Sequence, residues 1–389
     1  QWLPLAANVR GAREVWNPIP STEAALLTEV TVFCFAAEQQ QGQLCNSHHQ
    51  KAVRALNTHG MCVFRGVFDP KTVLEGGEAA RCDLVACMVA LRRRGIDLSK
   101  PGEGPMIENF HELSMREARR CDIRNGPALK AFNAKLEQRT LTQKEEEEEG
   151  GNKGDGQGLS GVGAHGGARG NLTNHRGLLA VMSEVMNPHW DCPAAQGNWG
   201  RWNFGGGGPE SGPPPMRTGT VGAVMTLPGA LPQTLHADTA HTQPHVQLPA
   251  HYMNLFLPAC AIDPELSVAS TTATTEEAGG GPKGYTVGQT AFVLGSHVLE
   301  DAARMLQEHP PESEGTAEGE TAAQLVPELE RQLVRPHLAP GDGLIFDCRC
   351  LHFGLENMSV QTTRPLLYIN YYQEYFNDPK NWRDSDRLL

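Results

Sequence analysis

His236, Ala237 and Asp238 set an imidazole and a carboxylate two positions apart, and His352 brings a second imidazole much later in the chain. In an extended strand, residues i and i+2 point to the same side, so the His-x-Asp pair can reach one ion without distorting the backbone. A histidine arriving from a later strand completes one face of an octahedron. Two imidazole nitrogens and one carboxylate oxygen suit non-haem iron(II) and leave positions for exchangeable ligands, as oxygen activation requires. The triplet alone is a weak signal in a chain with 15 histidines. His241, His245 and His251 crowd the same stretch as alternative ligands, and for His241 and His245 the preferred reading is a polar loop.

The C-terminal segment adds the second half of the pattern. Pro340-Gly341-Asp342-Gly343 turns into a β-prone run ending at Phe346, His352 follows, and Arg364 opens a last β-favouring run. On such a strand Arg364, Leu366, Tyr368 and Asn370 share one face. A guanidinium projecting inward beside the histidine strand needs an anion, and it pairs best with a planar carboxylate through two parallel hydrogen bonds. A cosubstrate carboxylate would supply that partner. Read in isolation, Arg364 is an ion-pairing surface residue; its place after His352 reverses the preference.

These residues must be positioned by strands. The runs 221–227, 252–257, 290–294, 343–346 and 366–372 are short, β-favouring and punctuated by turn residues, a pattern of sandwiches and barrels rather than doubly wound sheets. Earlier in the chain, 51–57 reads as a helix, 61–65 as a strand, and Asp69-Pro70 as the start of a helix running towards Arg94, weakened by Gly76 and Gly77. Further helices are expected at 114–120 and 128–143. An acidic run at 145–149 leads into a glycine-rich tract to residue 170, a low-complexity insertion; similar breaks lie at 205–215, 270–284 and 309–321. The expected organisation is a mixed, largely helical support over 1–217, a β-rich core over 218–375 and a tail over 376–389, integrated into one domain.

At this point the chain resembles the phytanoyl-CoA hydroxylase-like family of iron(II)- and 2-oxoglutarate-dependent dioxygenases. The matching pieces are PGALPQTLHAD at 228–238, GQTAFVLGSHVL at 288–299 and GDGLIFDCRCLHFGLENMSVQTTRPLLYINYY at 341–372, with THGMCVFRGVFDPKTV at 58–73 as the opening strand and helix. The resemblance implies a double-stranded β-helix, a distorted jelly roll, closed against N-terminal helices. It implies His236, Asp238 and His352 as iron ligands and Arg364 as the clamp on the distal carboxylate of 2-oxoglutarate. Gln233, Asn254 and Thr290 become secondary cosubstrate contacts. Ser296 and His297 match a turn that shapes the site or serves structure alone, and Asp342 matches a structural turn. The implied reaction consumes 2-oxoglutarate and O2, releases succinate and CO2, and hydroxylates a C–H bond of a small organic or lipid-like substrate. The insertions weaken any transfer of substrate specificity.

Composition bounds the alternatives. A formal net charge of -12 disfavours nonspecific nucleic-acid or anionic-membrane binding. Arg92-Arg93-Arg94 is read as a solvated helix end, and Trp199, Trp202 and Phe204 as loop anchors rather than stacking platforms. A nucleic-acid or protein-side-chain oxygenase with the same metal chemistry is the first alternative, and a catalytically silent jelly-roll binding protein the second. A zinc hydrolase accepts the same ligands but has no use for Arg364. Ten cysteines without a CxxC pair read as reduced thiols, the even count leaving disulfides open. No run reaches the roughly 20 apolar residues of a membrane span. The compartment is left open, with a soluble intracellular one favoured.

Overall fold

The structure is a computed structural model that describes residues 21–97, 110–150 except 118, 172–187, 216–260, 287–300, 331–378 and 386–389. The breaks at 205–215, 270–284 and 309–321, the tract 151–170, and Trp199, Trp202 and Phe204 lie outside these residues.

Helix α1 (Ser21–Glu29) leads to strand β1 (Thr31–Phe33), and α2 (Ala36–Gln41) and α3 (Asn46–His59) follow. The buried face of α3 carries Ala52, Val53, Ala55 and Leu56, and Gly60 in the left-handed region (φ 78°) closes it, donating to the Leu56 carbonyl at 3.0 Å. The chain then enters β2 (Met61–Arg65). Asp69 starts α4 (Pro70–Arg93) by accepting from the Lys71 and Thr72 amides, both at 3.2 Å, with Pro70 at the first helical position. Gly76 and Gly77, poor helix formers, are what let α4 lie flat on the sheet. A Cβ at Gly76 would stand 2.7 Å from a Leu367 methyl, and one at Gly77 would stand 2.6 Å from the Ala259 carbonyl.

The segment expected to be helical at 114–120 is instead a hairpin of β3 (Leu113–Glu117) and β4 (Arg120–Ile123). Its Met-Arg-Glu-Ala-Arg-Arg sequence favours a helix by local propensity, but pairing with a central strand wins. Leu113, Cys121 and Ile123 are fully buried there. Helix α5 (Pro127–Gly150) covers the expected 128–143 and extends beyond it, its first amides at Ala128 and Leu129 capped by the Asp83 carboxylate of α4 at 2.9 and 2.8 Å. Helix α6 (Arg176–Met186) follows.

The remaining strands are β5 (Met216–Thr218), β6 (Gly222–Thr226), β7 (Tyr252–Pro258), β8 (Thr290–Val293), β9 (Leu333–Val334), β10 (Gly343–Asp347), β11 (His352–Gly354) and β12 (Arg364–Gln373). Among the described residues they form a nine-stranded sheet, ordered β1-β2-β10-β7-β12-β6-β4-β3 with β5 also on β12, and a three-stranded sheet β11-β8-β9. Every pairing is antiparallel except β1 with β2. The protein is thus mainly β, and strands from the first 217 residues sit in the same sheet as the C-terminal ones. The two sheets meet through aromatic rings. Phe346 of β10 packs on Phe256 of β7 at 4.8 Å and reaches across to Phe292 of β8 at 5.1 Å and His352 of β11 at 4.9 Å.

Candidate metal centre and cationic pocket

His236 and His352 form an antiparallel bridge that extends the small sheet, each amide donating to the other's carbonyl at 3.0 and 2.8 Å. Directly opposed residues have close side chains, and the two imidazole centroids lie 4.5 Å apart. Each ring is held in the same way. Nδ1–H of His236 donates to the Thr234 carbonyl at 2.7 Å, and Nδ1–H of His352 donates to the Cys350 carbonyl at 3.0 Å. A carbonyl can only accept, so both Nδ1 atoms carry the proton and both Nε2 lone pairs are presented to a ligand. Asp238, two residues after His236, brings Oδ2 to 3.8 Å from Nε2 of His352, and the three donor atoms lie within 4.8 Å of one another. Donors about 2.1 Å from one ion at right angles stand about 3 Å apart, so a rotamer-scale contraction closes the set. His236, Asp238 and His352 therefore make a three-donor metal site on one side of the centre, with the other side open to the pocket.

Asn254 of β7 donates to Asp238 Oδ2 at 3.0 Å and orients that carboxylate. Its own Oδ1 is buried without a partner, as is Oδ1 of its cross-strand neighbour Asn370. Both acceptors are left to whatever fills the pocket. Gln233 lines the same pocket and accepts from the Gly354 amide at 3.0 Å, while Thr290 lines it from β8. Ser296 and His297 stand elsewhere. The Ser296 hydroxyl donates to the Val293 carbonyl at 2.6 Å and accepts from the Leu351 amide at 2.7 Å, and His297 lies against the Asn57 carbonyl at 3.2 Å. Asp342 is structural: it accepts from Arg65 at 2.7 Å and from the Gly66 and Ala339 amides at 2.9 and 2.8 Å. His241, His245 and His251 do not join the three-donor set.

Sheet register puts Arg120, Thr226 and Arg364 side by side on β4, β6 and β12. Arg364 is 4% exposed; Nη1 donates to the Gly288 carbonyl at 2.6 Å, and Nε is buried with no partner. Among the described residues no carboxylate forms an ion pair with it, and burial pushes its pKa down. Arg120, 1% exposed, donates to the Gly354 and Leu355 carbonyls at 3.3 and 2.6 Å. Burial lowers its pKa to about 10; Glu117 opposes that shift and the neighbouring Arg364 adds to it. Keeping the Arg364 guanidinium buried without a carboxylate partner, beside a second buried guanidinium, is costly. An anion is the missing element at this end.

A third basic group sits further along the same face. Fully buried Asp122 accepts from Arg116 Nη2 and from the Tyr368 hydroxyl, each at 2.7 Å, and Arg124 Nη2 lies 3.6 Å away. Arg124 also donates to the Tyr368 hydroxyl and covers its ring at 5.1 Å. An irregularity in the β3–β4 register between Met115 and Glu117 sets Arg116 and Glu117 against the single Arg120. Arg116, Arg120, Asp122 and Arg124 were not expected from the sequence: Arg116 and Arg120 fall in the segment that reads as a helix, and Asp122 and Arg124 lie just after it.

No family model matches the chain, and no curated protein matches it. Among solved structures, it is similar to AviO1 from Streptomyces viridochromogenes Tue57, at 14% identity over 85% of this chain and 96% of that one, TM-score 0.39. It is also similar to the epimerase SnoN in complex with Fe3+, alpha ketoglutarate and nogalamycin RO, at 13% identity over 85% of each chain, TM-score 0.40. HygX from Streptomyces hygroscopicus with nickel and 2-oxoglutarate bound gives 14% identity over 83% of this chain and 86% of that one, TM-score 0.36. At these identities and scores the likeness assigns nothing to this chain.

Proposed function

We propose that the chain is an iron(II)- and 2-oxoglutarate-dependent dioxygenase acting on a C–H bond of a small organic or lipid-like molecule, and that its two sheets are the halves of a double-stranded β-helix. The observation that carries this reading is Arg364, a buried guanidinium that has no carboxylate partner among the described residues and lines the same pocket as an intact three-donor metal set. A silent binding protein has no need of both. When bound, iron(II), 2-oxoglutarate and O2 would supply the oxidation, yielding succinate, CO2 and an alcohol. His236, Asp238 and His352 would hold the ion through Nε2, a carboxylate oxygen and Nε2. Arg364 would take the far carboxylate of the cosubstrate through its fork of donors. Asn254, donating to Asp238 Oδ2, would hold that carboxylate in place for the ion, and Phe256 and Leu366 in the lining would limit water there.

The test is anaerobic calorimetry on Mn(II)-loaded protein with N-oxalylglycine, an unreactive analogue of 2-oxoglutarate, followed by succinate release from the iron-loaded protein over a substrate panel. Saturable binding that needs the metal is expected. No binding by well-folded, metal-loaded protein would overturn the cosubstrate assignment.

A further inference from the structure

We propose that Arg116, backed by Arg124, is a second anion subsite that holds a carboxylate or phosphate group of the organic substrate beside the metal. This rests on the reading above, in which the cosubstrate occupies the Arg364 end of the pocket. Arg124 follows Arg120 by four residues on the β4 side, which is about 13 Å of strand at about 3.3 Å per residue. It sits at the level of Tyr368, four residues beyond Arg364 on β12. The two basic groups are therefore separated along the sheet, and one short dicarboxylate bound at Arg364 and the ion would not also satisfy the other.

Three observations make Arg116 a binding residue rather than a strut. Its Nε is buried with no hydrogen-bond partner, although its Nη2 is spent on Asp122 at 2.7 Å. Its side chain is 28% exposed, so a ligand entering from solvent can reach it, whereas Asp122 behind it is fully buried. It also lines the same pocket as His236, Asp238 and His352, which places it beside the metal ligands. With a dication on the Asp238 carboxylate and the cosubstrate dianion offsetting the ion, Arg116 would be left sharing Asp122 with Arg124. A guanidinium with a free Nε–H, and a second N–H on Nη2 besides the one given to Asp122, can still donate to a carboxylate or phosphate oxygen. The buried Asn370 Oδ1 on the same lining would accept from a hydroxyl or amine elsewhere on that substrate.

The experiment uses the full chain, Mn(II)-loaded and saturated with N-oxalylglycine, and three small probes of like size: acetate, methyl phosphate and neutral acetamide. Broadening of each methyl proton signal by the manganese reports a probe held near the centre. At least one anion should broaden saturably at a concentration tenfold or more below acetamide, and the tighter of the two identifies the substrate's acidic group as a carboxylate or a phosphate. Arg116→Gln should weaken that anion at least tenfold and leave N-oxalylglycine affinity unchanged. Anions no tighter than acetamide in the wild-type protein would overturn the subsite without any variant. So would a folded Arg116→Gln, or Arg116→Met if the glutamine form does not fold, that binds the anion as tightly as wild type. Failure of N-oxalylglycine to bind would be seen first and would strike the cosubstrate reading instead; the same probes on the metal-loaded protein alone then decide the Arg116 subsite by the same two criteria.

Discussion

Replacing Arg364 with Met, which keeps a long apolar stem and removes the charge, should move stability and cosubstrate affinity in opposite directions. The guanidinium is 4% exposed, donates a hydrogen bond to Gly288, and has an orphaned Nε and the positive Arg120 as a neighbour. Loss of the Gly288 bond costs about 1 kcal/mol. Removal of a buried, unneutralised charge returns about 1–4 kcal/mol, by analogy with buried ion groups exchanged for apolar ones. The metal-free variant should therefore be as stable as wild type or up to about 3 kcal/mol more stable. Binding goes the other way. A bidentate guanidinium–carboxylate contact comprises two charge-assisted bonds of about 1.5–3 kcal/mol each. Its loss should raise the Kd for N-oxalylglycine by about a hundredfold or more. Urea melts of the metal-free protein and calorimetry on the Mn(II) form measure the two quantities. An Arg364→Met protein that binds the analogue within threefold of wild type would refute the clamp. One that is clearly less stable would refute the claim that this charge waits for its partner.

Asp238→Ala should abolish tight metal binding while leaving the melting temperature of the metal-free protein nearly unchanged, which metal titration followed by thermal melts will check. Asn254→Ala should retain metal binding but weaken it by about tenfold, the usual scale for a residue that orients a ligand. Gly77→Ala places a Cβ 2.6 Å from the Ala259 carbonyl and should cost about 1–3 kcal/mol by pushing α4 off the sheet, read from the urea midpoint. Buried His175 and His251 have pKa values pulled down to about 4 by burial, with Arg349 adding to the shift at His251. The unfolded chain takes up those protons near pH 6.5, so their contribution is complete above that pH and is lost as pH falls towards 4. The limit is about 3 kcal/mol each, and His175→Gln should flatten the slope of unfolding free energy against pH between 6 and 4.5. At His175 the cause is visible: Nδ1 accepts from the Leu178 amide as the cap of α6, a role that protonation ends.

Strands such as β7 and β12 are legible in the sequence because their apolar and aromatic runs are bounded by turn residues. The His-x-Asp pair, His352 and Arg364 are legible because their chemistry needs few residue types in a fixed order. The β3–β4 hairpin is hidden for a physical reason. Its inward face carries Arg116, Arg120 and Asp122, so the usual alternation of apolar inside and polar outside is inverted where the sheet lines a charged pocket. Only contact with β6, a hundred residues on, distinguishes this hairpin from the solvated helix that its composition suggests. The glycines of α4 mislead in the same way, since their use appears only when Leu367 and Ala259 are laid against them.

The pairing of Val63 with Leu344 and of Cys121 with Met225 also governs how the molecule comes into being. During synthesis, β2 leaves the ribosome long before β10 exists, a wait on the order of tens of seconds at about 5–20 residues per second. Through that interval one hydrogen-bonding edge of Met61–Arg65 has no neighbour, and four of its five residues are ones the finished fold buries. Unpaired apolar edges recruit other chains, so a nascent chain of this protein is most vulnerable to misassembly before residue 343 appears. The second imidazole of the metal set arrives a few residues later still. Tight ion capture is thus a late event, and a chain truncated before His352 has neither a closed sheet nor a complete place for the ion.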